Sequence, residues 1–179
     1  MSPEDPSAES GWVETWTENA SAFDRVKSVT MTLSEPRPAT WIAEEAAVSP
    51  NTARDHLRRL IDLGVVTATE TSGTRRYYPD PLYTRLRDVR ELLRERTKQE
   101  LSEQAAELKA DVATWKTEYD ADSPDVLRER AASDGVSAEQ AYELTRTASD
   151  WELVRYRLSL VRDAIENYDT WTSDSSLTV

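Results

Sequence analysis

Residues 40–79 read TWIAEEAAVSPNTARDHLRRLIDLGVVTATETSGTRRYYP, and the reading of this stretch decides the fold. Trp41, Ile42 and Ala46 form a short apolar stripe while Glu44 and Glu45 fall on the wet side, which predicts a short helix closed by Val48. Ser49-Pro50 opens a second helix, with serine as the N-cap and proline at the first helical position, where a missing N–H costs nothing. At about 100° per residue, Ala53, Leu57, Leu60 and Ile61 gather on one face, and Gly64 stands where a helix-ending C′ residue belongs. The opposite face carries Asn51, Asp55, Arg58 and Asp62, with Thr52, Arg54 and Arg59 on its flanks.

Beyond Gly64, Val65 to Glu70 reads as a strand of β-branched and small residues, Thr71-Ser72-Gly73-Thr74 as a turn, and Arg75 to Tyr78 as the return strand. Two short helices, a tight turn and an Arg-tipped hairpin stand in the order of a winged helix-turn-helix, a unit that usually reads DNA. The residues expected to face DNA are Ser49, Asn51, Thr52, Arg54, Asp55, Arg58 and Arg59 on the recognition helix (50–63) and Thr74, Arg75 and Arg76 on the wing (65–79). Each has a plainer alternative. Arg58 can pair with Asp55 or Asp62 along the helix, and Asn51 and Thr52 can serve the cap rather than a base edge or phosphate. Asp55 is read as orienting Arg58 or Arg59 in preference to accepting from cytosine. Arg75 and Arg76 can pair with Glu70 across the hairpin. His56 reads as a packed or phosphate-near side chain rather than a metal ligand, and Tyr77 and Tyr78 as one packed and one exposed.

The chain has 179 residues, of which 38% are hydrophobic, which suits a small domain with helical extensions. It has no cysteine and one histidine, which excludes disulfides and thiolate metal sites and argues against a His-based zinc site. The N-terminus is acidic without a basic or apolar leader, and no apolar run approaches the roughly 20 residues of a membrane span, so a soluble cytoplasmic protein is expected. The net charge of −12 opposes nucleic-acid binding if taken as a whole. Between Ser49 and Tyr78, however, five arginines face three acids, +5 − 3 = +2, leaving −14 for the rest. Only 4 of the 22 basic residues are lysine, so 22 − 4 = 18 are arginine. Acidic excess with scarce lysine is similar to the proteins of extreme halophiles, whose charge repulsion is screened over about 3 Å at 1 M salt.

Four regions follow. Residues 1–11 read as a disordered arm. Residues 12–80 read as the winged domain, whose leading helix carries Trp12, Trp16, Phe23, Val26, Val29 or Thr30, and Leu33 before Glu35-Pro36-Arg37-Pro38 breaks it. Residues 81–171 form a helical dimerisation region, and 172–179 a flexible tail. From Pro81 a heptad-like pattern of Leu82, Leu86, Val89, Leu93, Leu101, Ala105, Leu108, Val112, Trp115 and Tyr119 predicts coiled-coil-like helix to about Asp120, interrupted by the polar run Arg94 to Glu100. A short helix follows from Pro124 to about Ala132, and Ser137 caps a last one. That last helix has one seam through Leu144, Ala148, Trp151, Val154, Leu158, Val161, Ile165 and Tyr168 and a second through Leu153, Tyr156, Leu160 and Ala164. It needs at least two neighbours, and one chain offers the helix from Pro81. A second copy is therefore expected to bury the remainder, in an isologous dimer through Leu93, Leu108, Trp115, Trp151, Leu158, Val161 and Ile165. The six tryptophans read as core and interface rather than as a ligand pocket. No nucleophile with a matched base and no glycine-rich phosphate loop is present, so no enzyme and no cofactor are expected.

The segments VSPNTARDHLRRLIDLGVV and SGTRRYYPDPLY resemble the winged-helix transcriptional regulators of ArsR type, in particular a haloarchaeal branch with a long helical C-terminal extension. The resemblance implies a homodimer that binds a two-fold symmetric site on double-stranded DNA, each recognition helix in a major groove and each wing on the adjacent backbone or minor groove. Metal-sensing relatives of this type use cysteines, which this chain lacks, and an effector is left unspecified. The competing expectation is a winged-helix module that serves as a protein-interaction scaffold without specific DNA binding.

Overall fold

A computed structural model describes residues 20–173. These are mainly helical, with a small three-stranded antiparallel sheet and a long C-terminal helix. They divide into two compact units between Thr84 and Arg85. The arm at 1–11, Trp12, Trp16 and residues 174–179 lie outside the described residues.

The first unit opens with α1, Ala22–Met31. Ser21 is extended and its hydroxyl accepts the Asp24 N–H at 3.2 Å, so the helix starts here and not at Trp12. It also stops at Met31, short of Leu33. The Pro-rich break is more than a break: Arg37–Pro38 forms β1, which pairs antiparallel with the last strand of the unit, Arg37 opposite Tyr77 and Pro38 opposite Arg76. Two helices follow, α2 at Ala39–Glu45 and α3 at Pro50–Asp62, then β2 at Val66–Thr71 and β3 at Thr74–Pro79. The sheet order is β1-β3-β2.

Local chemistry explains these ends. Ser49 caps α3 through the Thr52 N–H, with Pro50 at the first position. Gly64 ends it at φ 68°, its N–H bonded to Ile61 O and that of Val65 to Leu60 O. The hairpin turn is tighter than the four residues the sequence suggests. Thr71 already pairs with Thr74, leaving Ser72 and Gly73 at φ 52° and 73°, as a two-residue type I′ loop requires.

Ala53, Leu57 and Leu60 of α3 are fully buried against Val26, Ile42 and Val66. Arg25 is enclosed in the same unit. Its guanidinium donates to Ala46 O at 2.9 Å and Ala47 O at 3.3 Å, so α1 clamps the bend between α2 and α3, where Ala47 has a positive φ of 51°.

α4, Pro81–Glu95, passes from the end of the first unit into the second, which also contains α5 at Lys98–Tyr119, α6 at Pro124–Ala131 and α7 at Ala138–Ser173. The polar run read as an interruption in a helix is a helix boundary. The Glu100 N–H donates to the Thr97 hydroxyl at 3.3 Å, and the Glu100 carboxylate accepts the Thr97 N–H at 2.7 Å. This reciprocal capping box starts a new helix. Ser137 caps α7 similarly, with Gln140 as its partner. α7 continues through Thr172 and Ser173, two residues assigned from sequence to the tail.

Two clusters form the core of this unit. Val89 of α4 and Leu101 and Ala105 of α5 meet Leu158, Val161 and Ala164 of α7. Nearer the start of α7, Ala148 and Trp151 pack with Leu127 of α6 and with Trp115 of α5 beside them.

Candidate nucleic-acid interface

The outer face of α3 holds the residues singled out from sequence, arranged as local pairs. Asn51 Oδ1 accepts from Arg54 Nη1 at 3.0 Å, and Asp55 Oδ1 accepts from Arg58 Nη1 at 3.2 Å. Each acceptor lies one turn before its arginine, so each guanidinium is steered along the helix surface. The Arg58–Asp55 pair is well exposed, with 72% and 69% of the two side chains accessible. Asp55 therefore orients Arg58, one of the two arginines expected for it, while Asp62 has no part in that pair. Ser49 and Thr52 serve the helix start, their hydroxyls 2.8 Å apart.

Arg59 goes elsewhere. Its guanidinium stacks 4.9 Å from the centre of the Phe23 ring, and Phe23 meets His56 edge-on at 5.7 Å. Arg59 stays exposed but leans over α1. Phe23 is the missing clue: it lies on α1, and nothing in the spacing of α3 reveals it. His56 is half-buried, with Nδ1 shielded and unbonded.

The hairpin separates the two arginines that the sequence placed together at its tip. Arg75 is exposed, stands opposite Glu70 and lies 5.5 Å from the centre of the Tyr77 ring. Arg76 is half-buried and reaches toward β1, donating from Nη1 to Pro36 O at 3.3 Å, while its Nε is shielded and unbonded. Successive residues of a strand face opposite ways, so Arg75 shares a face with Tyr77 and Arg76 with Tyr78. That signal was available from sequence; the strand β1 that receives Arg76 was not. Thr74 is exposed at the turn, Tyr77 is buried and Tyr78 half-buried. Arg37, which sequence reasoning passed over, stacks 5.1 Å from the centre of the Trp41 ring and pairs with Glu35.

The residues chosen for dimerisation lie within one chain's core. Trp151 and Val161 are essentially inaccessible and Leu158 is buried. Leu93, Leu108, Trp115 and Ile165 are partly buried against the same clusters, with the Trp115 ring 6.1 Å from that of Trp151. The chain's own α4, α5 and α6 cover Trp151, Leu158 and Val161 and part of the other four.

Among the described residues no cluster of three His, Asp or Glu side chains is arranged to hold a metal ion, and no helix is long and apolar enough to cross a membrane. The fold thus defines a mainly helical protein with a hairpin-bearing N-terminal unit and a long-helix C-terminal unit. Residues 20–170 match DUF7342, a family of unknown function, and the chain belongs to that family. No curated protein and no solved structure matches it.

Proposed function

We propose that the first unit is a winged helix-turn-helix that binds double-stranded DNA, in a sequence-specific transcriptional regulator. In this reading α3 enters the major groove as the recognition helix, and the β2–β3 hairpin is the wing that lies on the adjacent backbone or minor groove. The observation that carries it is the exposed face of α3, where Asn51–Arg54 and Asp55–Arg58 present steered guanidiniums and amide groups behind a Ser49-capped helix start. Arg75 adds an exposed cation on the hairpin.

The test is selection of bound sequences from random duplex DNA by the full-length protein, followed by fluorescence anisotropy on the selected duplex. Arg58→Glu is expected to weaken binding at least 100-fold without changing the helical circular dichroism. Wild-type affinity in that variant would sink the assignment of α3. Because counterion release weakens phosphate contacts as salt rises, affinity in molar salt should rest on base edges and show a shallow salt slope. The resemblance also expects two copies per site. Since Trp151, Leu158 and Val161 are enclosed within one chain, a homodimer has to use other side chains, and light scattering at micromolar concentration measures its mass.

A second reading has its own observation. All five arginines of α3 and the hairpin already have a partner in the chain: Asn51, Asp55, the Phe23 ring, the Tyr77 ring and Pro36 O. A unit whose guanidiniums are already engaged within the chain suits a protein-interaction module. Failure of the selection to enrich any sequence favours that reading.

A further inference from the structure

The arginines on the outer face of α3 are not equivalent. Asn51, Arg54, Asp55, Arg58 and Asp62 are all exposed and stand at i, i+3, i+4, i+7 and i+11, a continuous stripe on the side opposite Ala53, Leu57 and Leu60. Arg54 is held by a neutral group, the Asn51 amide, at 3.0 Å, whereas Arg58 is held by a carboxylate, Asp55, at 3.2 Å. A second carboxylate, Asp62, follows Arg58 one turn later; Arg59 lies off the stripe, over the Phe23 ring. Along the stripe, the charges within one turn of Arg54 sum to +2 − 1 = +1 and those within one turn of Arg58 to +2 − 2 = 0. One turn is about 5.4 Å, inside the roughly 8 Å over which charges act on one another at physiological salt. At 1 M salt, where the range falls to about 3 Å, the directly bonded partner dominates, and the contrast becomes a full cation beside an amide against a neutral ion pair.

Resting on the DNA-binding function proposed above, we infer that Arg58 sets base specificity by reading a guanine, while Arg54 grips a phosphate and carries no sequence information. Attraction to phosphate follows net charge, and the Arg58–Asp55 pair has none to offer. Base reading depends instead on hydrogen-bond donors held in place. Asp55 engages a single guanidinium nitrogen of Arg58, Nη1, so a two-pronged donor face remains for a base edge. Guanine is the base whose major-groove edge offers two acceptors, N7 and O6; adenine and cytosine present a donor there, and thymine a single acceptor. Asp55 is then a positioning residue with two effects: it keeps the Arg58 fork in place, and it repels the phosphates that would otherwise hold Arg58 to DNA of any sequence. Arg54 has the opposite profile, because the Asn51 amide steers its guanidinium without cancelling its charge.

The two roles separate in anisotropy titrations of the full-length protein on the duplex enriched by selection, on a scrambled duplex of the same composition, and on variants of the enriched duplex changed one base pair at a time. Arg58→Ala should weaken the enriched duplex about tenfold or more, abolish the preference at one G·C pair and leave the salt slope unchanged. Arg54→Ala should weaken the enriched and scrambled duplexes by the same factor, keep every base preference and make the salt slope shallower by about one. Arg58→Lys should fail to restore the guanine preference, since an ammonium lacks the fork, whereas Arg54→Lys should retain most of the affinity. Asp55→Asn should tighten the scrambled duplex while narrowing the guanine preference. All three positions are exposed, so the helical circular dichroism should match wild type throughout. The reverse division of roles, equal behaviour of the two alanine variants, a guanine preference retained by Arg58→Lys, or one unaltered in Asp55→Asn overturns the inference and leaves DNA binding standing. A selection that enriches no sequence overturns the proposed function itself, and this inference with it.

Discussion

α3 and α7 are both helices with a clear apolar pattern, yet only one could be assigned its surroundings from that pattern. α3 has one buried stripe, Ala53, Leu57 and Leu60, and everything opposite is exposed. A one-sided helix has one wet face, so the spacing alone locates it. α7 is apolar on more than one side, and its neighbours change along its 36 residues: α6 and the end of α5 around Trp151, then α4 and the start of α5 around Val161. Spacing shows that such a helix needs several partners and is silent on which chain supplies them. The seam therefore looked intermolecular until α4 and α5, separated by the capping box at Thr97, were seen to act as two neighbours where the sequence promised one.

The strongest way to break this contrast is at Trp151. Trp151→Ala should lower stability by about 3–5 kcal/mol, read from the urea midpoint of the helical signal. Trp151→Phe should cost about 1 kcal/mol, because the indole N–H is shielded and has no partner to lose. An unchanged midpoint accompanied by a halved mass in light scattering would return Trp151 to an interface between copies.

Next comes Arg25, which ties α1 to the bend before α3. Arg25→Met leaves the Ala46 and Ala47 carbonyls without their charged donor and should cost about 2–3 kcal/mol, measured the same way. A negligible loss would mean that α3 holds its position without the clamp.

The helix boundary in the second unit gives a smaller and pH-dependent effect. Thr97→Ala should cost about 1 kcal/mol at neutral pH. The Thr97 N–H, and then its hydroxyl, hold the Glu100 carboxyl below its ordinary 4.5. Its folded value being lower than its unfolded one, the stabilisation is complete above about pH 4.5 and disappears as pH falls through the folded value. Denaturation curves of Glu100→Gln and wild type, collected from pH 7 to pH 3, should approach each other at the acid end, because Thr97→Ala keeps the backbone N–H that acts most on this carboxyl.

The smallest effect on stability belongs to Arg58→Glu, expected within about 0.5 kcal/mol because the Arg58–Asp55 pair is exposed. A large loss of stability there would move Arg58 from the exposed face of α3 into its packing.

Much of the first unit was legible. Ser49-Pro50 and Gly64 mark the ends of α3 by backbone chemistry that acts within three or four residues, and the apolar spacing places Ala53, Leu57 and Leu60 inside. The candidate face followed from the same count. What escaped was set by elements distant in sequence: Phe23 takes Arg59, the strand at Arg37–Pro38 brings Pro36 O to Arg76, and the bend after α2 takes Arg25. The start of α1 was missed for a different reason. Ser21 caps locally, but an apolar pattern running from Trp12 concealed it.

The sequence alone determined the ends and inner face of α3, the strand alternation of the hairpin and the absence of thiol chemistry, because each depends on nearest neighbours along the chain or on composition. Tertiary structure alone decided what Arg59 and Arg76 meet, and that α7 is enclosed at Trp151 and Val161 yet open at Leu153 and Tyr156. Those outcomes depend on which surfaces meet, and a helix that is apolar on several sides leaves that choice to the packing.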